Sequence, residues 1–232
     1  MKDGCRVKIC GITSLNDARL AANAGADYIG MIIDVRFSPR SMGLNEAGQI
    51  FKHAPLPAVA LVHQMEPDKL DQLLLKLRPH AVQFLSPEGP ELAGRLKDRQ
   101  PGLQIWQSLF MPAGGEVGDG YDFRTLVLKT RQCREAGIDA VLFDTAVLSS
   151  GRCGGTGLTG DWELAARLVR EAALPVFLAG GIKPGNVRRA VEKVRPFGID
   201  LSSGVEEYPG KKSPAELKAL MEALEQAENR KR

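Results

Sequence analysis

Two residues at the ends of apolar runs have the types needed for proton chemistry. "VKIC" ends on Cys10, with Gly11 directly after it and a helix-like stretch from Ser14. "AVLFD" ends on Asp144. A thiolate can take a proton from carbon, and a carboxyl partly withdrawn from water keeps its proton to a higher pH and can give it up as a general acid. Both also have ordinary uses in such places. A strand-end cysteine can be a buried filler, and an aspartate there can cap the loop or helix that follows.

Other residues could hold a substrate for that pair. Arg40, in "FSPRS", carries a planar fork that suits a carboxylate, although a surface arginine would read the same. Three glycine-rich loops follow later apolar runs. They contain Gly154, Gly155 and Gly157 in "GGTG", Gly180 and Gly181 in "GGIKPGN", and Ser202, Ser203 and Gly204 in "SSG". Glycine lets backbone N–H groups come close to an anion, so these loops suit a phosphate; turns alone also need glycine. His63 ends a further run and reads as a polar filler or a group facing the same site. Cys153 reads as a loop thiol, Cys133 as a helix residue, and Trp106 and Trp162 as packing residues.

The elements that must position these residues alternate. Short apolar runs start near Arg6, Tyr28, Ala58, His80, Leu103, Asp139, Pro175 and Gly198. Each is followed by a stretch of helical spacing, the last from about Ser213 to about Glu228. Ser14 is a good cap for the first helix and Gly25 a good stop. Near-continuous apolar strands alternating with helices indicate a parallel sheet buried on both faces. Eight such units in one chain predict an α/β fold, a single (β/α)8 TIM barrel over residues 1–232 with no linker to divide it. An open doubly wound sheet is the competitor, but no G-x-G-x-x-G follows the first strand. In a barrel, the loops after the strands meet at one mouth, which would bring Cys10, Arg40, Asp144 and the glycine loops together.

Composition narrows the partners. The 232 residues are 44% apolar and 25% charged, which suits a soluble globular domain with a full core. A net charge of +3 with no basic block before the final "AENRKR" does not indicate a nucleic-acid surface. No run approaches the ~18 apolar residues of a membrane span, and the start lacks the apolar core of a signal peptide, so a cytoplasmic protein is expected. Cys5, Cys10, Cys133 and Cys153 form no CxxC pair, and His53, His63 and His80 are scattered, so no metal site is expected.

Together these stretches resemble the phosphoribosylanthranilate isomerase family of tryptophan biosynthesis. The matching segments are "KICGIT" with "DA" shortly after, "GADYIG", "SPRS", "FDT" with "GGTG" and "DW", "LAGGIKPGNV" and "DLSSGVEEYPGKK". The resemblance implies a (β/α)8 barrel that performs an Amadori rearrangement of a phosphorylated small molecule without a cofactor. It makes Cys10 the general base, Asp144 the general acid, Arg40 the contact for the anthranilate carboxylate, and the glycine loops the phosphate grip. The assembly would be a monomer or a homodimer. Four positions depart from the family pattern: His63, Leu85, Ser86 and Gln107, where relatives carry "VFVN", "LHG" and a strand-five lysine. They are expected to line or adjoin the anthranilate side of the pocket. A diverged paralogue acting on another aminoaldose phosphate, and a non-catalytic binder of a phosphorylated ligand, therefore stand as alternatives.

Overall fold

The computed structural model describes residues 4–113, 118, 120–147, 152–153 and 158–229. Eight strands form the barrel: β1 Arg6–Ile9, β2 Tyr28–Ile33, β3 Ala58–Val62, β4 Ala81–Phe84, β5 Gln104–Pro112, β6 Ala140–Val147, β7 Val176–Leu178 and β8 Gly198–Leu201. Every neighbouring pair is parallel, and β8 returns to β1 with Lys8 opposite Asp200, so the sheet closes on itself. Eight helices alternate with them: α1 Leu15–Ala24, α2 Leu44–Lys52, α3 Pro67–Leu77, α4 Gly89–Arg99, α5 Phe123–Glu135, α6 Trp162–Glu171, α7 Pro184–Val194 and α8 Pro214–Asn229. This is the (β/α)8 architecture expected from the strand and helix count.

Local chemistry sets the helix boundaries. The Ser14 side chain accepts a hydrogen bond from the Asp17 N–H at 3.1 Å and so satisfies one of the unpaired donors of the first turn. Gly25 ends α1 at φ 96°, a conformation that costs glycine nothing. Asp122 and Asp161 cap α5 and α6 in the same way as Ser14.

Alternation along the strands separates two apolar regions. Val7, Ile9, Ile29, Val82 and Ile105 point outward and pack under the helices. Val59, Leu61, Ala81, Trp106, Ala140, Leu142 and Phe177 point inward and fill the barrel. At its closed end, Trp106 stacks on Phe177 with ring centroids 4.9 Å apart, and Tyr28 meets Trp106 edge-on at 5.3 Å. Trp106 is thus the packing residue expected, and Trp162 is buried in α6 beneath the Arg189 guanidinium.

Four short strands lie where the sequence suggested plain loops. Ser41–Met42 continues the sheet beside β2, Arg152–Cys153 pairs antiparallel with the end of β6, and Glu206–Tyr208 forms a hairpin with Lys211–Lys212. Within 145–160, read from sequence as a long loop, residues 145–147 and 152–153 are therefore strand.

Candidate active site

The mouth of the barrel is built from the inward residues just beyond the apolar fill. On β1, Val7 and Ile9 face out, so Lys8 and Cys10 face in. The Cys10 N–H donates to the Leu201 carbonyl at 2.7 Å, which carries the ladder one residue past β1. The chain then turns at Gly11, φ 70°. A Cβ on Gly11 would lie 2.5 Å from Arg40 Cδ and 2.6 Å from Ser202 Oγ, so only glycine lets Arg40 cross the strand end.

Asp144 follows Ala140 and Leu142 on the inward face of β6. It is not the last residue of its strand, as the sequence suggested. The ladder runs on, with Phe110 opposite Asp144, Met111 opposite Thr145 and Pro112 opposite Ala146. The ladder with β5 therefore holds the backbone both before and after Asp144. Its Oδ1 accepts the Thr145 N–H at 2.7 Å. Burial pushes the carboxyl up to about 6, against the pull of that N–H bond; Asp200 adds to the rise. Burial also raises the Cys10 thiol, opposed by the Lys8 and Lys212 ammoniums.

Two buried charge clusters surround this pair. Beneath the mouth, Lys8 Nζ meets Asp200 Oδ1 at 2.9 Å, with the lysine side chain fully buried. Burial alone would lower the Lys8 ammonium, but Asp200 and Cys10 outweigh it and raise it. Beside the mouth, Glu206 accepts from Arg40 Nε at 2.9 and 3.1 Å and from Arg40 Nη2 at 2.6 Å, and from Lys212 Nζ at 2.7 Å. Burial works to raise the Glu206 carboxyl; the two cations prevail and hold it below the usual carboxylate range. Lys212 Nζ also donates to the Cys10 carbonyl at 2.6 Å. Arg40 is thus not the free fork the sequence suggested, because Glu206 takes one edge of it. Nη1 has no hydrogen-bond partner among the described residues.

The loops after β7 and β8 press against each other. A Cβ on Gly204 would fall 2.0 Å from the Ile182 carbonyl oxygen, and one on Gly180 would fall 2.0 Å from Thr145 Oγ1. Gly180 and Gly181 take φ values of 82° and 60°. Ser202 lies beside Gly11 and Glu206, and Ser203 is exposed at the start of a short 3-10 turn, Ser203–Val205. Gly154, Gly155 and Gly157 lie outside the described residues.

The four departures from the family pattern divide in two. Leu85 packs against the interior fill, and His63 meets the Phe37 ring edge-on at 5.0 Å, so both face the mouth. Ser86 and Gln107 do not line it. Ser86 Oγ accepts from the Gln64 N–H and donates to Glu88. Gln107 points away from the barrel interior and donates to the Phe84, Ser86 and Ser108 carbonyls, with Gly89 packed against its Oε1. These two residues pin the loop after β4. Of the two expected places, lining or adjoining the pocket, the strand alternation leaves them the second: Trp106 and Ser108 take the inward places and leave Gln107 the outward one.

Lys8, Asp200, Glu206 and Lys212 were not singled out from sequence. A signal existed for the first two. Lys8 interrupts an apolar strand two residues before Cys10, and Asp200 stands in the same relation to Ser202, so each shares a face with its partner. Elsewhere, a cleft of about 860 Å³ opens between α1, α2 and the 206–212 hairpin, lined by Thr13, Asp17, Met42, Tyr208 and Lys211. None of the candidate residues lines it. No group among the described residues could hold a metal ion, and no helix among them is long and apolar enough to cross a membrane.

The fold and the mouth define the class: a (β/α)8 barrel with its ionisable side chains gathered at the C-terminal ends of the strands. Residues 7–223 match the family model for N-(5′-phosphoribosyl)anthranilate (PRA) isomerase, and the chain belongs to that family. It is 39% identical to the N-(5′-phosphoribosyl)anthranilate isomerase of Methanocella arvoryzae over 224 residues, 95% of this chain and 97% of that one. It is also similar to the structure of monomers generated from the dimeric enzyme of Thermotoga maritima, with a TM-score of 0.77 and 29% identity over 96% of this chain and 99% of that one. A third relative is a phosphoribosyl anthranilate isomerase solved with reduced 1-(o-carboxyphenylamino)-1-deoxyribulose 5-phosphate, at a TM-score of 0.74 and 27% identity over 96% of this chain and 99% of that one.

Proposed function

We propose that this chain converts N-(5′-phosphoribosyl)anthranilate to 1-(2-carboxyphenylamino)-1-deoxyribulose 5-phosphate, with Asp144 as general acid and Cys10 as general base. The observation that carries this reading is the placement of both groups on inward faces at one mouth, above a common buried ion pair. The Asp144 proton goes to the furanose ring oxygen as the C1–O bond breaks, and the nitrogen lone pair forms a C1=N iminium. The Cys10 thiolate then takes the C2 proton. The C2–H electron pair becomes a C1=C2 bond, and the C=N pair returns to nitrogen. The resulting enolamine gains a proton at C1 and loses one from the C2 hydroxyl to give the ketone. Transfer of one proton from Cys10 to Asp144 restores the starting state.

The remaining groups suit binding. The edge of Arg40 not held by Glu206 would take the anthranilate carboxylate, and the N–H groups around Gly180, Gly181, Ser202, Ser203 and Gly204, with Gly154, Gly155 and Gly157, would take the phosphate. No step calls for a cofactor or metal. The chain would work as one barrel unit in the cytoplasm, as a monomer or homodimer.

Positioned acids and bases contribute about 10²–10⁴-fold each, so Asp144→Asn and Cys10→Ala should each lower steady-state turnover of the purified protein by that factor while phosphate binding holds. Retained turnover in either variant removes that residue from its role. Leu85 and His63, both facing the mouth, favour one second reading, a different aminoaldose phosphate as substrate. Folded protein that binds phosphate but neither turns over the anthranilate substrate nor complements a tryptophan auxotroph would select it.

A further inference from the structure

Lys8 and Asp200 face each other across the β1–β8 seam beneath the mouth, the lysine fully buried and the aspartate 10% exposed, and the steps above use neither. Their geometry has a direction. Lys8 sits on Cys10's own strand, one inward place below it. A Cβ on Gly30 would lie 3.0 Å from Lys8 Nζ and 3.1 Å from Cys10 Sγ, so the ammonium and the sulfur share the space that Gly30 leaves open. Asp200 sits on β8, on the side of the seam that leads through β7 to β6 and Asp144. The pair is therefore a buried dipole with its positive end under the thiol and its negative end toward the carboxyl.

We infer that the Lys8–Asp200 pair polarises the mouth, Lys8 serving as counter-charge to the Cys10 thiolate and Asp200 keeping the proton on Asp144. This deepens the functional reading and rests on it for the catalytic roles. The charges act in opposite senses on the two groups. On Cys10 the influence of Lys8 exceeds that of Asp200; on Asp144 the order is reversed. One ion pair thus pulls an acid and a base apart in the direction the chemistry needs. The other charges near the thiol are Lys212, Arg40 and Glu206. Both cations are bound to Glu206, and Lys212 is aimed at the Cys10 carbonyl rather than the sulfur. Lys8 is the cation placed to answer a negative sulfur. Lys8 and Asp200 are positioning residues, since nothing requires either to touch substrate.

The test needs no substrate. Ultraviolet thiolate absorbance is titrated in the full-length protein, and the curve of Cys10→Ala is subtracted to remove the other cysteines and the tyrosines. Lys8→Met, with its own Cys10→Ala control, should show the Cys10 midpoint at least about one pH unit higher, a tenfold smaller thiolate fraction at a given pH below it. An unchanged or lower midpoint overturns the proposal. Should Lys8→Met fail to fold because Asp200 is left buried without its partner, Lys8→Met/Asp200→Asn removes both charges; its midpoint should also rise, by less, and an unchanged or lower one is again fatal. A raised midpoint in a protein with no turnover of the anthranilate substrate leaves the dipole standing and removes the function. Normal wild-type turnover with an unmoved midpoint does the reverse.

Discussion

The two ends of the barrel interior are built from opposite materials. The closed end is an aromatic plug of Tyr28, Trp106 and Phe177, in contact with Val59, Ala81 and Ala140. The open end buries the charged side chains of Lys8, Arg40, Glu206 and Lys212 and nearly buries that of Asp200, drawn from β1, β8 and the segments that follow β2 and β8. Apolar packing is held by area and fit, which no change of pH touches. A buried charge is held by its partner and is costly without it. The barrel thus separates the part that keeps it folded from the part that gives it a reaction.

The largest effects should make that difference visible. Trp106→Ala empties the plug and should cost about 3–5 kcal/mol. Glu206→Gln leaves Arg40 and Lys212 buried without their shared carboxylate and should cost a similar 3–5 kcal/mol. The two losses should part with pH. Glu206 has a depressed folded-state pKa, so its contribution is present above the unfolded value and disappears as pH falls through the folded one. Urea unfolding at about pH 7 and at about pH 3, well below the ordinary glutamate value of 4.5, should show the Glu206→Gln deficit shrinking while the Trp106→Ala deficit stays level. Two deficits that track each other would erase the contrast between the ends.

A smaller effect should have the opposite sign. The Asp144 carboxyl sits at about 6 against an ordinary 3.8. A carboxyl raised in this way favours the fold while protonated, and that advantage is lost as pH climbs through the folded value. At about pH 8 the ionised Asp144 should therefore weigh on the fold by roughly 2–3 kcal/mol. Asp144→Asn keeps the oxygen that accepts the Thr145 N–H and has no proton to lose. It should be more stable than wild type by that amount at about pH 8 and no more stable below about pH 4. Equal stabilities at both pH values would mean that the carboxyl is far better solvated than its burial implies.

Much of this was legible in the sequence, and what was missed follows a rule. Strands buried on both faces read as apolar runs and helices declare their caps, so the eight units and the places of Cys10, Arg40 and Asp144 at the mouth could be read directly. Contacts between distant parts of the chain could not. Lys8 meets Asp200 across 192 positions and Arg40 meets Glu206 across 166, and no local pattern tells a lysine or an arginine that its charge is already taken. Asp144 was read as a strand end because carboxylates usually stop apolar runs; β5 carries the ladder past it instead. Gln107 was read as lining or adjoining the pocket from its likeness to a family position, and the alternation of Trp106 and Ser108 around it decides for the outer face.

The smallest expected effect tests the apolar exception at the open end. Leu85 caps the interior fill from the mouth side and stands where the family pattern has histidine. If the aromatic ring of the substrate rests on this side of the mouth, a leucine gives it area rather than a hydrogen bond. Losing part of that contact should cost about 1 kcal/mol, roughly a fivefold change. Leu85→His should therefore raise KM for N-(5′-phosphoribosyl)anthranilate about fivefold and leave kcat nearly unchanged, the pattern of an interaction made equally in ground and transition states. A fall in kcat with KM unchanged would place residue 85 at the reacting carbons, next to Cys10 and Asp144. The boundary between packing and chemistry would then lie one strand further round the barrel than the two ends suggest.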